Sequence, residues 1–200
     1  MEELSVSRIT IRQAISLLSD EGLVQAKRGL GTSVIRQPNK ARPLNLSSSF
    51  EDLVNIYQGD IPLLNNTHET KDSPKVTDDE GTLLEAYSHI RRVHKRGNEK
   101  YCVISLYIAD DLFQQAPDRF RNELALEVMS SLPAFKFARG WQTLRVSKAN
   151  IETARLLNIP VGEPTAEVRR IICDEDSNII YLADITYRSE YIELKMELSQ

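Results

Sequence analysis

Residues 85–109 read EAYSHIRRVHKRGNEKYCVISLYIA, two alternating runs on either side of Arg96-Gly97-Asn98-Glu99. Strand side chains point alternately to the two faces of a sheet, so each run predicts a strand with two different faces. The Gly97-Asn98 pair favours the positive φ of a tight hairpin, which makes the strands antiparallel neighbours. In the first run Arg92 and His94 share one face, and Arg91 and Val93 the other. In the second, Ser105 and Tyr107 share a face, while Ile104 and Leu106 take the opposite one.

On the carboxyl side, Asp110–Leu132 reads as mostly helical with a break at Pro117. Gly140–Lys148 is extended. Ser147-Lys148-Ala149-Asn150 then leads into a helix, IETARLLNI, whose Ile151, Ala154 and Leu157 are expected on one face. The runs AEVRRIICDED and NIIYLADITYRS predict two further strands, and YIELKMEL a third. Asp174-Glu175-Asp176, between the first two, reads as a solvated turn rather than a metal site. On the amino side, DSPKVTDDEG reads as a flexible loop, and Phe50–Tyr57 as a short helix stopped at Gly59. Hairpin-paired strands with helices between them predict an α+β fold built on an antiparallel sheet.

The 200-residue chain is 41% hydrophobic and 27% charged, as an ordinary globular protein is. No apolar run approaches the roughly 20 residues needed to span a bilayer. The acidic, amphipathic start is not a secretory signal. Cys102 and Cys173 fit neither a disulfide framework nor a metal site and read as small buried hydrophobes, suited to a reducing cytoplasm. Net charge is −4, which by itself argues against nucleic acid, but the charge is unevenly spread. Residues 1–43 carry Arg8, Arg12, Lys27, Arg28, Arg36, Lys40 and Arg42 against Glu2, Glu3, Asp20 and Glu21, a balance of +3; the remainder carries −7. A basic head on an acidic body predicts two modules with different partners. Residues 37–46, polar and holding two prolines with the flanking residues, read as the linker, leaving a head at 1–36 and a body at 47–200.

The head begins with Ser7 as N-cap of a helix in which Ile11, Ala14, Ile15 and Leu18 recur at helical spacing; Gly22 supplies the stop. That buried set leaves Arg8, Thr10 and Arg12 near the amino end, pointing elsewhere. A helix can read the major groove when its first turn offers such side chains. Leu23–Lys27 and Thr32–Ile35 then predict two strands around the tip Arg28-Gly29-Leu30-Gly31. Lys27 and Arg28 supply cations there, and the glycines allow backbone to approach a phosphate.

The stretch SVSRITIRQAISLLSDEGLVQAKRGLGTSV resembles the recognition helix and wing of GntR-family winged helix-turn-helix regulators. The matching residues are Val6-Ser7-Arg8, Thr10-Ile11-Arg12, Ala14-Ile15, Glu21-Gly22-Leu23 and Gly29-Leu30-Gly31-Thr32. The resemblance implies that Ser7, Arg8, Thr10 and Arg12 contact operator bases and phosphates. It also implies that the wing from Gly29 through Gly31 to Thr32, flanked by Lys27 and Arg28, lies along the minor groove. Family members carry a first helix and most of a second before this point; here Glu2-Glu3-Leu4-Ser5 is similar to the tail of the second. The expectation is therefore a partial, N-terminally truncated winged helix-turn-helix. Four uncovered core side chains would forgo several kcal/mol at ~25 cal/mol per Å². Such a head should fold poorly or bind DNA weakly.

The body resembles the UTRA effector-binding domain of the HutC-like branch of the same family. IRRVHKRGNEKYCVISLYIADDLF carries the resemblance, as do the turn from Ala154 to Pro164 and the closing Tyr187-Arg188. The implied fold is that of chorismate lyase, an antiparallel sheet with helices that binds small metabolites. Members dimerise, and the ligand alters the spacing of the DNA-binding heads. A pocket for an anionic metabolite needs a fixed cation, polar donors and an apolar wall. Arg92 and His94 are the leading candidates, completed by Ser105, Tyr107, Gln142, Tyr181 and Tyr187. Relatives that bind sugar phosphates carry acids at positions aligned with Ile104 and Tyr181, so the expected effector is a small organic or aromatic acid.

Neither a Ser/His/Asp spacing, nor a carboxylate pair, nor a Gly-rich phosphate loop accompanies His68, His89 and His94, so no enzyme, cofactor or metal is expected. The reading is a cytoplasmic, homodimeric, metabolite-responsive regulator, a repressor on a palindromic operator and without a membrane partner. The competing reading is a stand-alone small-molecule-binding module that no longer binds DNA.

Overall fold

Ser7 opens the first described element of the chain, for which a computed structural model describes residues 7–20, 24–27, 31–34, 50–56, 61–133 and 135–193. The chain divides into two compact units, Met1–Ala41 and Arg42–Gln200. In the first unit, Ser7 Oγ accepts the Thr10 N–H at 3.2 Å at the start of α1 (Arg8–Asp20), meeting one of the donors a helix start leaves unpaired. Strands β1 (Val24–Lys27) and β2 (Gly31–Val34) pair antiparallel, with Val24 opposite Val34 and Lys27 opposite Gly31. Gly31 has φ +86°, a conformation that favours glycine. The helix stop at Gly22, the tip residues Arg28, Gly29 and Leu30, the end of the second predicted strand at Ile35, the linker and Tyr57–Gly59 all lie outside the described residues.

The second unit begins with α2 (Phe50–Ile56) and β3 (Ile61–Lys71). The hairpin of the opening stretch follows as β4 (Tyr87–Arg96) and β5 (Glu99–Ala109), with Gly97 at φ +60°. The expected helical stretch, broken at Pro117, is three short helices: α3 (Asp110–Phe113), α4 (Pro117–Asn122) and α5 (Ala125–Ser131). Pro117 stands at the first position of α4, where its missing N–H costs nothing. Then come β6 (Arg139–Lys148), α6 (Ile151–Leu157), β7 (Pro164–Cys173) and β8 (Ile179–Arg188). The six strands form one antiparallel sheet in the order β3-β4-β5-β8-β7-β6.

Four elements differ from expectation. Strand β3 carries no strand signal in the sequence because Asn65-Asn66-Thr67-His68 breaks the alternation. As an edge strand bonded to β4 alone it tolerates both those residues and Pro62. Ile151 is 78% exposed whereas Ala154 and Leu157 are buried. Steps of three residues drift around a helix of 3.6 per turn, so Ile151 has left the face of Leu157. No strand starts at Tyr191, which closes a 3-10 turn over Ser189–Tyr191; residues 194–200 lie outside the described ones. The loop expected to be flexible is instead tied down. Arg169 donates to Glu80 Oε1 at 2.6 Å and to the Lys75 carbonyl at 2.5 Å, and Thr82 pairs with Asn178 in an isolated bridge.

The sheet has one densely packed face. Ile90, Ile104, Leu106, Ile108 and Ile185 meet Phe113, Phe120, Leu126 and Met129 from α3, α4 and α5, with Leu53 and Val54 of α2 packed against them. On the other face Leu157 of α6 joins Val93 and Val103, while Val76 of the tied loop packs near Ile171 and Leu182.

Candidate functional site

A cavity opens between the packed face of the sheet and the helices above it. Register shows how the sheet builds it: Arg92 is opposite Ile104, Ile104 opposite Ile185, and Ile185 opposite Val168, so all four point to one side. Two residues along, Leu106, Ala183 and Arg170 form the next row. The lining includes Arg92, His94, Arg170, Tyr181 and Tyr187, with Val54 of α2 and the start of α5 from Leu124 to Glu127 above. The void measures about 30 Å³, enough for one or two waters. It is narrow as it stands.

Arg92 is 1% exposed. Its Nη1 donates to the carbonyls of Phe120 and Arg121 at 2.9 and 3.2 Å, and its Nη2 to that of Glu123 at 2.8 Å. Its Nε donates to His94 Nε2 at 3.1 Å. Every one of these acceptors is neutral. Burial pushes the guanidinium down to about 10, with Tyr181 and Cys102 pulling weakly the other way. His94 must accept at Nε2, which puts its proton on Nδ1. Burial and then the neighbouring Arg92 lower its pKa to about 3, so it stands neutral.

Arg170, 2% exposed, is a second buried cation that the sequence reading missed; it donates to Gln142 Oε1 at 3.0 Å through Nη2. A signal was present. In the apolar run VRRII one of two adjacent arginines has to face inward, and Arg169 takes the outer face. Gln142 therefore enters as the partner of Arg170 rather than as a residue lining the void. Among the described residues, Glu127 is the acidic side chain of the lining.

Ser105 and Tyr107 are not brought to this cavity. Ser105 is opposite Arg91, and Tyr107 opposite His89, which puts both on the other face. There His89 Nε2 lies 2.7 Å from Ser105 Oγ, Nδ1 lies 3.2 Å from Thr70 Oγ1, and the ring stacks on Tyr107 at 4.3 Å. A hydroxyl behind the imidazole orients it without the carboxylate that a nucleophile-activating base employs. Alternation within each strand leaves open which face of β5 matches that of Arg92; the register settles it, and the two sets share the hairpin but not the face.

In the first unit, Arg8, Thr10 and Arg12 are exposed along the start of α1, and Gly31 and Thr32 are exposed on β2. The Ser7 and Thr10 hydroxyls bond each other at 2.9 Å. Ile11 and Ile15 are half-buried, Ala14 is exposed and Leu18 is 40% exposed. Nothing is described of the Lys27 side chain, and Arg28 and Gly29 lie outside the described residues. Among the described residues no helix is long and apolar enough to cross a membrane, and no group of acidic, histidine or cysteine side chains is arranged to hold a metal.

Comparison with known proteins places both units. Residues 81–193 match the family model of the UTRA domain, and residues 1–34 match that of bacterial regulatory proteins, gntR family. The "Probable transcriptional regulator PhnF" of Escherichia coli is 25% identical over 202 aligned residues, spanning 96% of this chain and 80% of the relative. The "HTH-type transcriptional repressor NagR" of Bacillus subtilis is 24% identical, spanning 94% and 78%. Among solved structures, the possible transcriptional regulator YydK of Bacillus subtilis superposes with a TM-score of 0.59 at 18% identity, covering 100% of this chain and 86% of that one. PhnF of Mycobacterium smegmatis gives 0.57 at 21%, covering 99% and 88%. At these identities the superpositions establish the fold.

Proposed function

The chain belongs to the gntR-type transcription regulators that carry a UTRA domain, and on that premise we propose that its buried cation site binds an anionic metabolite that controls operator binding. The observation that supports this reading is Arg92, a fully buried guanidinium whose acceptors are all neutral, at the wall of an apolar cavity. Burying a charge against carbonyls alone leaves it less stabilised than a charge-assisted pair would. A ligand carboxylate or phosphate supplies the missing negative charge. Tyr181 and Tyr187 offer an aromatic wall, while Ile104 and Tyr181 offer no carboxylate for sugar hydroxyls, which favours an organic acid.

Ligand entry competes with the carbonyls of Phe120, Arg121 and Glu123 for the same guanidinium. Val54, also at the wall, belongs to α2, the first described element after the linker in sequence. An occupant that moves α4, α5 and α2 thus acts on the segment nearest the head along the chain. At the head, Arg8, Thr10 and Arg12 are the residues offered to base edges and phosphates, with Gly31 and Thr32 on the wing. In the full reading the protein acts in the cytoplasm as a homodimeric repressor on a palindromic operator, two recognition helices meeting two half-sites.

Gel-shift titration at defined salt against the DNA flanking its own gene tests this. Sequence-specific binding that drops at least tenfold in Arg12→Ala is the expected result, about the 1–3 kcal/mol a base-contacting arginine supplies. Effector and operator must then alter each other's affinity by one common factor. Salt-sensitive binding blind to sequence, unchanged by Arg12→Ala, would instead favour a stand-alone binding module.

A further inference from the structure

We propose that the effector is a keto acid: its acid group meets Arg92, and its neutral carbonyl oxygen accepts a hydrogen bond from the Nδ1–H of His94. This rests on reading the cavity as the effector site.

Arg92 and His94 alternate on β4, so both point to the packed face of the sheet, and both line the void. They are 1% and 4% exposed. The hydrogen bond between them, from Arg92 Nε to His94 Nε2 at 3.1 Å, fixes what each can offer a ligand. The imidazole uses its lone pair at Nε2 for that bond, which leaves the ring neutral with its proton on Nδ1. Among the described residues that N–H meets no acceptor, the bond from Arg92 being the one that His94 makes. Nor is Nδ1 walled in. Thr165 Oγ1 is the enclosed side-chain atom left without a partner among the described residues, so Nδ1 keeps open surface, and the ring borders the void. The void thus meets a donor that has lost water and gained no acceptor in its place.

The pair offers a ligand two donors of different kinds. The guanidinium is charged and its acceptors, His94 Nε2 and the carbonyls of Phe120, Arg121 and Glu123, are neutral, so it favours an anion. The imidazole N–H carries no charge and favours a neutral acceptor. A second acid group placed at His94 would lose its water for a neutral donor alone. An ammonium group would set donor against donor. A methylene would leave the N–H buried and unpaired. A hydroxyl could accept, but it brings a proton that needs an acceptor of its own, whereas a carbonyl oxygen brings none. Beyond these two groups Ile104, Leu106, Leu124 and Ile185 present hydrocarbon, which suits an aliphatic or aromatic remainder.

The test is calorimetric titration of the full chain with matched pairs that differ by one carbonyl. The pairs are pyruvate and propionate, α-ketocaproate and caproate, levulinate and valerate, and benzoylformate and phenylacetate; inorganic phosphate is the reference anion. At least one keto acid is expected to bind about tenfold or more tightly than its partner, because a site with a buried donor rejects the analogue that leaves it unpaired. His94→Leu should bring that pair to within about twofold, whereas His94→Gln, whose amide can both accept from Arg92 and donate to the ligand, should keep the preference. With nitrogen-labelled histidine, the Nδ1 resonance of His94 should move on adding the keto acid and stay in place with its partner. Equal affinity within every pair overturns the proposal without needing any variant to fold, as does a preference that survives His94→Leu or a resonance that does not move. Phosphate binding with neither acid series also overturns it, while leaving the anion site standing. If no anion binds, phosphate included, the effector-site reading falls and the proposal with it.

Discussion

An imidazole that accepts a hydrogen bond from an arginine cannot also hold a proton on that nitrogen, and this makes His94 an acid-sensitive residue of the second unit, beside His89, whose pKa burial also lowers. In the unfolded chain His94 titrates near 6.5, in the folded one near 3. Above pH 6.5 both states are neutral and the full stability is present. As pH falls below that value the unfolded chain takes up a proton that the native one refuses. Stability then declines by up to about 1.4 kcal/mol per pH unit until the folded pKa is reached. Urea unfolding at pH 7.5, 6 and 5 should show this loss, and His94→Gln should reduce it, His89 carrying the remainder; an unchanged slope in the variant would place the acid sensitivity elsewhere. The site was partly legible at this scale. Strand alternation alone pairs Arg92 with His94, but only the register between β4 and β5 separates them from Ser105 and Tyr107. Arg170 was not legible in the same way, because two adjacent arginines satisfy the alternation in either order and only packing decides which is buried.

At the scale of elements, the loop from Asp72 to Thr82 shows how one side chain can replace secondary structure. Arg169 reaches it from β7 with Nε and Nη2 on Glu80 and Nη2 on Lys75 O, while Nη1 bonds Asp184 on β8. The neighbouring guanidinium holds the Glu80 carboxyl below its ordinary range. Gly81, at φ +123°, completes the anchoring: a Cβ there would stand 3.0 Å from the Ser177 carbonyl and from Ile179. Arg169→Ala should speed hydrogen exchange of the Glu80 and Thr82 amides by about tenfold or more, leaving the β7–β8 ladder protected, because a local opening loses its closing contact. Uniform exchange across loop and ladder would mean that the loop opens only with the whole unit. Polar composition had made this loop read as flexible, since composition reports what a segment can do with water and not what a distant arginine does to it. Strand β3 was hidden for a related reason: an edge strand draws its order from its partner's ladder, not from its own pattern. The hairpin at Gly97 and the break at Pro117 were legible because those residues act on their own backbone.

For the whole molecule, an antiparallel sheet with helices on both faces and a separate basic unit ahead of it in sequence account for the uneven charge that the net value of −4 conceals. On the proposed reading, DNA and metabolite are met by different chemistry, exposed arginines on α1 and the buried Arg92 beside the end of α4. The clamp that Arg92 closes on the end of α4 has a consequence in time. On the proposed reading, a cavity of about 30 Å³ has to widen before a metabolite is seated, and the apparent affinity then falls by the fraction of molecules that are widened at any moment. Association should therefore be paced by opening and not by collision. In stopped-flow mixing, the observed rate should level off with effector concentration, whereas a linear rise up to the diffusional range would mean that the door stands open. On the proposed reading, the pace of that opening sets how soon the regulator answers its metabolite.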